Sequence, residues 1–408
     1  MLTILMITAT LWGLGLVLSF FLVFPFVTVL LSRFSSEKQL PKPSSETDFG
    51  CIITAYKNAD IAIPLVQSLL MQRYQNIHIY LVADQCDVSN FDLTDARFTL
   101  LRPASPLNLK VKSIIHAVEN YVRPHTYTAV FDADNVAHPQ FLHEMNRYAS
   151  AGCRSIQGQR TAKNLDTTFA AADAIGEFYK NYIERYVTYL LGSSSVISGS
   201  GMAVETSLYK TYLYGEEITR GKELWKKMMQ EDKILQNHLL GRRERIVYAW
   251  NAVVYDEKVT SADQVETQRS RWLFSYFQNL PNSLGFVMRG LFTFNFNQLL
   301  FGLVTVSPPL FILLGMSGVV GLLSLFFDWS LLALMIGSVA VFVGTIFWTL
   351  YLSKVPDAVW SGLRAIPAFI LRQATALVGM RNPNKNFKHS EHTRTLSIED
   401  ILNDRKTS

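Results

Sequence analysis

Charge is missing from three long stretches of this 408-residue chain: none occurs from Met1 to Ser32, none between Arg289 and Asp328, and none between Asp328 and Lys354. A helix that crosses a bilayer needs about 20 consecutive apolar residues, so each run is long enough, and a buried core helix fits their length and lack of charge poorly. The first run has no basic n-region and no small-x-small cleavage site after it, which excludes a cleaved signal peptide and leaves a retained membrane helix. Cysteine is scarce as well. Cys51, Cys86 and Cys153 are odd in number and form no CxxC pair, which excludes a disulfide framework and a zinc site and leaves free cytosolic thiols. The net charge of +5 is not gathered into a basic tract interleaved with aromatics, so nucleic acid is not an expected partner. Neither GxGxxG nor GxxxxGK[ST] occurs, so the chain is neither a standard dinucleotide-binding fold nor a P-loop protein.

What is present after the first apolar run is a stiff basic linker, with Arg33, Lys38 and Lys42 beside Pro41 and Pro43. Basic residues next to a span mark its cytoplasmic side. Strands and helices then alternate. Gly50–Ala55 reads as a buried strand, Ile61–Met71 as a helix, Ile77–Ala83 as a strand and Phe98–Leu101 as a short one. Lys110–Tyr121 reads as a helix with Val111, Ile114, Ile115 and Val118 on one face, and Thr126–Phe131 as the next strand. Such alternation predicts a mostly parallel sheet, whose ligands sit beyond the carboxyl ends of the strands. Further on, Leu165–Leu191 reads as largely helical, Val196–Val204 as a strand and Glu223–Leu240 as a helix.

The strand ends carry the chemistry. Thr54, Tyr56 and Lys57 follow the first strand, Asp84 and Asp87 the second, and Asp132 and Asp134 the last. Four carboxylates at one mouth repel each other, which implies a cation or a cationic ligand. Asp132 and Asp134, spaced by one residue, present two hard oxygen donors on one side of a strand end, a set that suits Mg²⁺ or Mn²⁺ holding phosphate. Taken alone, Asp-x-Asp also suits a solvated turn, and Asp84 and Asp87 also suit loop caps. Gly199 and Gly201 either let a ligand approach the backbone or mark a bulge. Gln268, Arg271 and Trp272, at i, i+3 and i+4, share one helix face: an amide, a forked cation that fits a diphosphate, and a flat indole that fits a sugar ring.

Taken in order, Asp84, Asp132-Ala-Asp134, Glu231-Asp232 and Gln268-Arg-Ser-Arg271-Trp272, followed by membrane helices, resemble the membrane-bound family 2 glycosyltransferases of GT-A fold. That group includes hyaluronan, chitin, cellulose and poly-N-acetylglucosamine synthases, and the likeness runs from Cys51 to about Pro309. The resemblance implies an α/β GT-A (Rossmann-like) domain with N- and C-terminal transmembrane helices. It implies Asp84 at the uridine, Thr54, Tyr56 and Lys112 near the nucleotide, Asp132 at the ribose or metal-bound phosphate, and Asp134 on Mg²⁺ or Mn²⁺. Glu231 would complete the acidic pair and Asp232 would be the general base. Gln268, Arg271 and Trp272, with Gly199 and Ser200, would bind diphosphate and acceptor. Many members have Asp-Asp-Gly-Ser after the second strand where this chain has Asp84-Gln-Cys-Asp87, so which of the two carboxylates meets the base stays open. Phe387–Thr393 faintly resembles a Lys/Thr/His element found after the membrane helices of some members; a solvated tail is the alternative.

The expected function is inverting transfer of a sugar from a nucleotide-diphosphate sugar, UDP-linked, onto a growing envelope or extracellular glycan. A lipid acceptor and a non-catalytic scaffold are the alternatives. Expected partners are the donor, a glycan or lipid-linked acceptor, membrane lipid, and a second copy or an export partner. The expected division is a membrane helix over 1–32, the linker over 33–48, a cytosolic transferase domain over 49–285 and an interfacial segment over 286–297. Two spans over 298–353 then follow, one of them containing Pro308 and Pro309, before an amphipathic interfacial helix over 354–380 and a cytosolic tail over 381–408. The whole would sit in the cell's inner membrane.

Overall fold

The structure, a computed structural model, describes residues 2–37, 39–43, 45–89, 91–224, 230–260, 262–378 and 394–407. It begins with α1 (Leu2–Ser32), β1 (Phe49–Asn58), α2 (Ile63–Leu70), β2 (Ile77–Asp87), β3 (Phe98–Leu101), α3 (Lys110–Glu119) and β4 (Tyr127–Asp132). Then come β5 (Val136–Ala137), α4 (Phe141–Ala149), β6 (Ser155–Ala162), α5 (Thr168–Lys180) and α6 (Thr188–Leu190), with a π-helical stretch, Asn181–Val187, between the last two. β7 (Met202–Glu205), α7 (Thr206–Leu213), α8 (Glu216–Leu224), α9 (Glu231–Gly241) and β8 (Ile246–Asp256) complete the sheet and its helices. The remaining elements are α10 (Ala262–Phe292), α11 (Phe296–Val306), α12 (Leu310–Phe327), α13 (Trp329–Leu352), α14 (Asp357–Ser361), α15 (Ile366–Val378) and α16 (Ile398–Thr407).

The strands form one sheet in the order β3-β2-β1-β4-β7-β6-β8-β5. β1 to β4 are mutually parallel and β6 is parallel to β8, while β7 runs against both β4 and β6, and β5 runs against β8. The sheet is thus mostly parallel, as expected, with β5 and β7 the antiparallel strands, and β1, β2, β4, β6 and β8 all deliver their carboxyl ends to the same edge. β1 is apolar at consecutive positions because helices cover both faces of the sheet. Its Cys51 and Ile53 enter one core cluster and Ile52 the other, as the two-residue period of a strand requires. α3 buries Val111, Ile114, Ile115 and Val118, the face its spacing predicted.

Several expected boundaries move. The strand expected over 196–204 is only β7: residues 196–201 are a loop in which Gly199 (φ +81) and Gly201 (φ +61) take the left-handed conformation. A Cβ on Gly201 would lie 2.5 Å from Val254 Cγ2, so a glycine is required where this loop crosses β8. The helix expected over 223–240 is α8 and α9, separate elements on either side of residues 225–229, which lie outside the described residues. Pro308 and Pro309 stand between α11 and α12 rather than inside a helix, as their missing N–H groups favour. The segment expected to lie at the interface over 286–297 is the end of α10 and the start of α11. The helix expected over 354–380 is broken into α14, a 3₁₀ turn and α15. Lys38 and the Phe387–Thr393 element lie outside the described residues.

Three helices, Leu5–Ser32 of α1, α12 and α13, are long and apolar enough to cross a membrane. They pack on one another through Leu18, Leu22, Leu313, Val320, Leu331 and Phe342. The same cluster takes in Tyr179, Tyr182, Ile183 and Val187, so the bundle stands on α5 and the π-helical stretch.

Candidate active site

A cleft of about 300 Å³ opens over the carboxyl ends of the strands. β1 contributes Thr54 and Tyr56, the β4 end Asp132 and Asp134, β6 Arg160, α5 Asp173, the β8 end Asp256, Glu257 and Lys258, and α10 Gln268, Arg271 and Trp272. The sheet direction explains the meeting: five strands with one polarity end at one edge, and α10 crosses above them.

Asp132 is the last residue of β4, opposite Thr54 of β1, and Asp134 lies in the turn that follows. That turn is braced from below. The Asp132 N–H donates to Ser200 Oγ at 3.1 Å, and the Ser200 hydroxyl in turn donates to Asn135 Oδ1. Asn135 donates to Asp256 Oδ1 at 3.3 Å, and Lys163 Nζ donates to the Asp134 carbonyl at 2.8 Å. Ser200, expected to touch diphosphate or acceptor, thus supports the Asp-Ala-Asp turn and does not line the cleft.

Lys110 joins the expected residues across the sheet. Its ammonium donates to Asp132 Oδ1 at 2.5 Å and to the Gly199 carbonyl at 2.7 Å, and lies 3.9 Å from Glu231 Oε1. Lys112, the lysine expected near the nucleotide, is two residues further round α3, about 200° away from Lys110, which makes these contacts. Asp84 sets the position of that lysine. Its two carboxylate oxygens accept the N–H groups of Leu107 (2.9 Å) and Asn108 (2.7 Å), which fixes the loop leading into α3. Asp84 is 2% exposed and is not among the residues that line the cleft, and its two hydrogen bonds are those of a loop brace.

Glu231 and Asp232 open α9 near this lysine. Burial pushes the Glu231 carboxyl up to about 7; Lys110 opposes the shift and Asp232 adds to it. Asp232 sits beside Gly199, where a Cβ would come within 3.6 Å of Asp232 Cβ. Neither acid is among the residues that line the cleft; Glu231 lies beside the Asp132–Lys110 pair. Burial likewise pushes the Asp132 carboxyl above its ordinary value, with Lys110 opposing and Asp134 adding.

On the α10 side, Trp272 has the Lys180 ammonium 4.9 Å and the Arg269 guanidinium 4.2 Å from its ring centroid, and Arg269 also pairs with Asp173. Beneath them runs a buried ion network that sequence reading missed. Arg160, Arg185 and Lys258 surround Glu177 at 3.1, 3.0 and 3.6 Å, and Lys258 also meets Asp256 at 3.0 Å. Against the upward push of burial, Arg160, Lys258 and Arg185 hold the Glu177 carboxyl well below its ordinary value. Removing one partner of such a network typically costs about 3–5 kcal/mol, because it strands a buried charge. The signal was present for Asp256-Glu-Lys258: an apolar run, Ile246–Tyr255, ends in charge as the run before Asp132 does.

The donor set fits a hard divalent cation. The cleft is lined by carboxylates without thiolate or imidazole, a hard oxygen set. Among the described residues, no three His, Cys, Asp or Glu side chains converge to enclose an ion. A cation here would take two carboxylates at most and complete its shell from phosphate and water, the usual habit of Mg²⁺.

Residues 47–275 match a family profile described as glycosyltransferase-like family 2. The fold is similar to that of the mannosyltransferase PcManGT from Pyrobaculum calidifontis, solved in complex with GDP-Man and Mn²⁺, with a TM-score of 0.58 and 11% identity over 91% of this chain and 100% of that one. It is also similar to residues 1–349 of TarS from S. aureus, with a TM-score of 0.41 and 11% identity over 82% of this chain and 92% of that one. No curated protein matches the chain significantly.

Proposed function

The chain belongs to glycosyltransferase-like family 2, and from that premise we propose that it is an inverting, metal-dependent transferase that moves a sugar from a nucleotide-diphosphate donor to an acceptor held at a membrane. The observation that carries this is the meeting of Asp132, Asp134, Gln268, Arg271 and Trp272 in one cleft, although more than 130 residues separate the two motifs in sequence. Asp132 and Asp134 would hold Mg²⁺ or Mn²⁺, whose charge offsets that of the diphosphate as it leaves. Arg271 grips the diphosphate, and Trp272 offers an indole face to a sugar ring. Lys110 holds Asp132 at the floor of the cleft. Asp232 takes the proton of the acceptor hydroxyl as it attacks the anomeric carbon from the face opposite the diphosphate. A single displacement of this kind inverts the centre. The acceptor is a growing glycan, with a lipid-linked sugar as the second reading, which the three apolar helices beside the α/β domain favour.

Release of nucleotide from a panel of UDP- and GDP-sugars, by membranes containing the protein, tests the proposal. GDP-sugars belong in the panel because the mannosyltransferase PcManGT was solved in complex with GDP-Man. One donor should be turned over, chelator should stop the reaction, and Asp134→Asn should lower the rate more than about 100-fold, since even outer-shell changes cost 10–100-fold. Full turnover by Asp134→Asn in chelator would remove the basis for the site.

A further inference from the structure

Residues 394–407 pack on the α/β domain at the sheet edge formed by β8 and β5. Ile398 and Ile401 of α16 are buried in one cluster with Val136 of β5 and Tyr255 of β8. Arg405 lies over the Tyr255 ring, 4.6 Å from its centroid, and donates to the Ala162 carbonyl. The Arg394 N–H donates to Glu257 Oε2 at 3.2 Å, and its guanidinium pairs with Asp166 at 2.7 Å. β5 is only two residues long and directly continues the Asp132–Asn135 turn, so α16 covers the strand on which that turn depends.

Lys163 stands at the junction. Its side chain is 1% exposed, and its ammonium donates to the carbonyls of Asp134 (2.8 Å) and Arg394 (2.7 Å) with Glu257 Oε2 3.8 Å away. One buried cation thus ties the peptide of Asp134 to a segment that lies more than 250 residues later in the chain. A buried ammonium held by two main-chain carbonyls has little freedom, and neither has the peptide plane that it anchors.

We infer that Lys163, clamped by residues 394–407, is a positioning residue that holds the Asp134 peptide in the orientation its carboxylate needs to ligate a divalent cation, which makes segment 394–407 a working part of the metal site. This rests on the metal-dependent transfer proposed above. Ligand groups must be held within about 0.5 Å of productive geometry, and loss of an outer-shell partner typically costs 10–100-fold in metal affinity. Glu257 supplies the countercharge, so the clamp can be released from the α16 side without leaving Lys163 unpaired.

The test uses the full chain in detergent and reads two quantities: Mn²⁺ binding by electron paramagnetic resonance with GDP or UDP present, and the Mn²⁺ dependence of nucleotide release. Lys163→Met and, separately, Ile401→Asp should each raise half-saturating Mn²⁺ by about 10–100-fold, with most of the rate recovered at saturating metal. The double variant should be no worse than the worse single one, because both changes release the same clamp. If Lys163→Met does not fold, Ile401→Asp and Arg405→Ala decide the matter, since both undock α16 and leave Lys163 in place. Half-saturation within twofold of wild type in the folded variants, or a fall in maximal rate with unchanged metal dependence, overturns the inference and leaves a purely structural clamp. Wild-type protein that binds no Mn²⁺ and turns over fully in chelator overturns the metal-dependent proposal instead, and the inference with it.

Discussion

Glu231 and Asp232 are adjacent acids with different surroundings, and the difference separates their roles. Glu231 faces Lys110, which also holds Asp132, so its side chain belongs to the ionic group beside Asp132. Asp232 stands outside that chain of contacts, beside the Gly199 backbone and 4.0 Å from Lys233 Nζ, with its side chain 27% exposed. A base must reach an incoming hydroxyl, which favours the more open acid. Asp232→Asn should therefore lower the transfer rate by roughly 10²–10⁴, the usual worth of general-base help, while donor affinity stays within a few-fold. Equilibrium binding of the donor and single-turnover rates, measured on the same preparation, separate the two effects. Equal losses in binding and rate would assign Asp232 to donor binding or to structure.

At the scale of elements, what could be read from the sequence follows from how local the signal is. β1, β2, β4 and α3 were legible because each carries its own uninterrupted apolar pattern. β6 and β8 were not. Their pairing shifts register between Gly158 and Gln159, where Ala249 and Val253 face successive residues, so the inserted residues break the alternation of β8. β6 also buries Gln157 and Gln159, and Gln157 donates to the carbonyls of Gly158 and Ser200, which hides a strand behind polar letters. The site divides in the same way. Asp132, Asp134, Gln268, Arg271 and Trp272 were legible from spacing within one turn or helix face, whereas Arg160, Asp173 and Lys258 reach the cleft, and Lys110 reaches Asp132, through tertiary contacts that no local spacing records. The opposite edge of the sheet yields a prediction of its own. Burial lowers the pKa of His78 to about 4, with Arg123 and His125 adding to the shift, and its Nε2 shares a hydrogen bond with Thr99 Oγ1 at 2.8 Å. The unfolded chain takes up this proton near pH 6.5 and the folded one only near 4, so the contribution is fully present above about pH 6.5 and is lost as the pH falls toward 4. His78→Gln keeps a hydrogen-bonding side chain without that titration. Between pH 7 and 5 its melting temperature should fall roughly 2–4 °C less than that of wild type, and parallel falls would show that His78 does not govern the slope.

For the whole molecule, the basic flanks decide how it would lie in a membrane. Arg33 and Lys42 follow α1, Arg289 precedes the second apolar run and Lys354 ends the third, while Asp328 stands alone at the tight turn between α12 and α13. Trp12 Nε1 donates to Asp328 Oδ2 at 2.9 Å, so the amino-terminal half of α1 lies at the same end of the bundle as that turn. Basic residues mark the cytoplasmic side of a span, and an orientation that follows this rule would place the cleft where nucleotide sugars are made and Asp328 on the opposite face. A cysteine placed at Asp328 should react with an impermeant thiol reagent only from outside; labelling from the cytosolic side alone would invert the arrangement.

The same bundle limits how a product can leave. A sugar chain crossing a bilayer needs polar partners along its path, since an unsatisfied polar group in hydrocarbon costs several kcal/mol. The contacts among α1, α12 and α13 are mainly apolar, formed by Leu18, Leu22, Val29, Leu313, Val320, Leu331 and Phe342, and the polar contacts between them are spent on each other, Trp12 with Asp328 at the end of the bundle and Ser19 with the Met335 sulfur within it. The buried hydroxyls of these helices are already committed: Ser317, Ser324, Ser338 and Thr345 each donate to the carbonyl four residues earlier on their own helix, at 2.7–2.8 Å. Three helices also enclose no lumen wide enough for a hexose when their side chains interlock at ordinary packing density. One copy of this chain should accordingly make a short or lipid-linked glycan, or rely on a second copy or a separate exporter for a long one. Reconstitution at less than one copy per vesicle, with donor outside and a glycan-degrading enzyme added afterwards, checks this: all of the product should be digested, whereas long glycan protected in the lumen would mean that the three-helix bundle opens a path of its own.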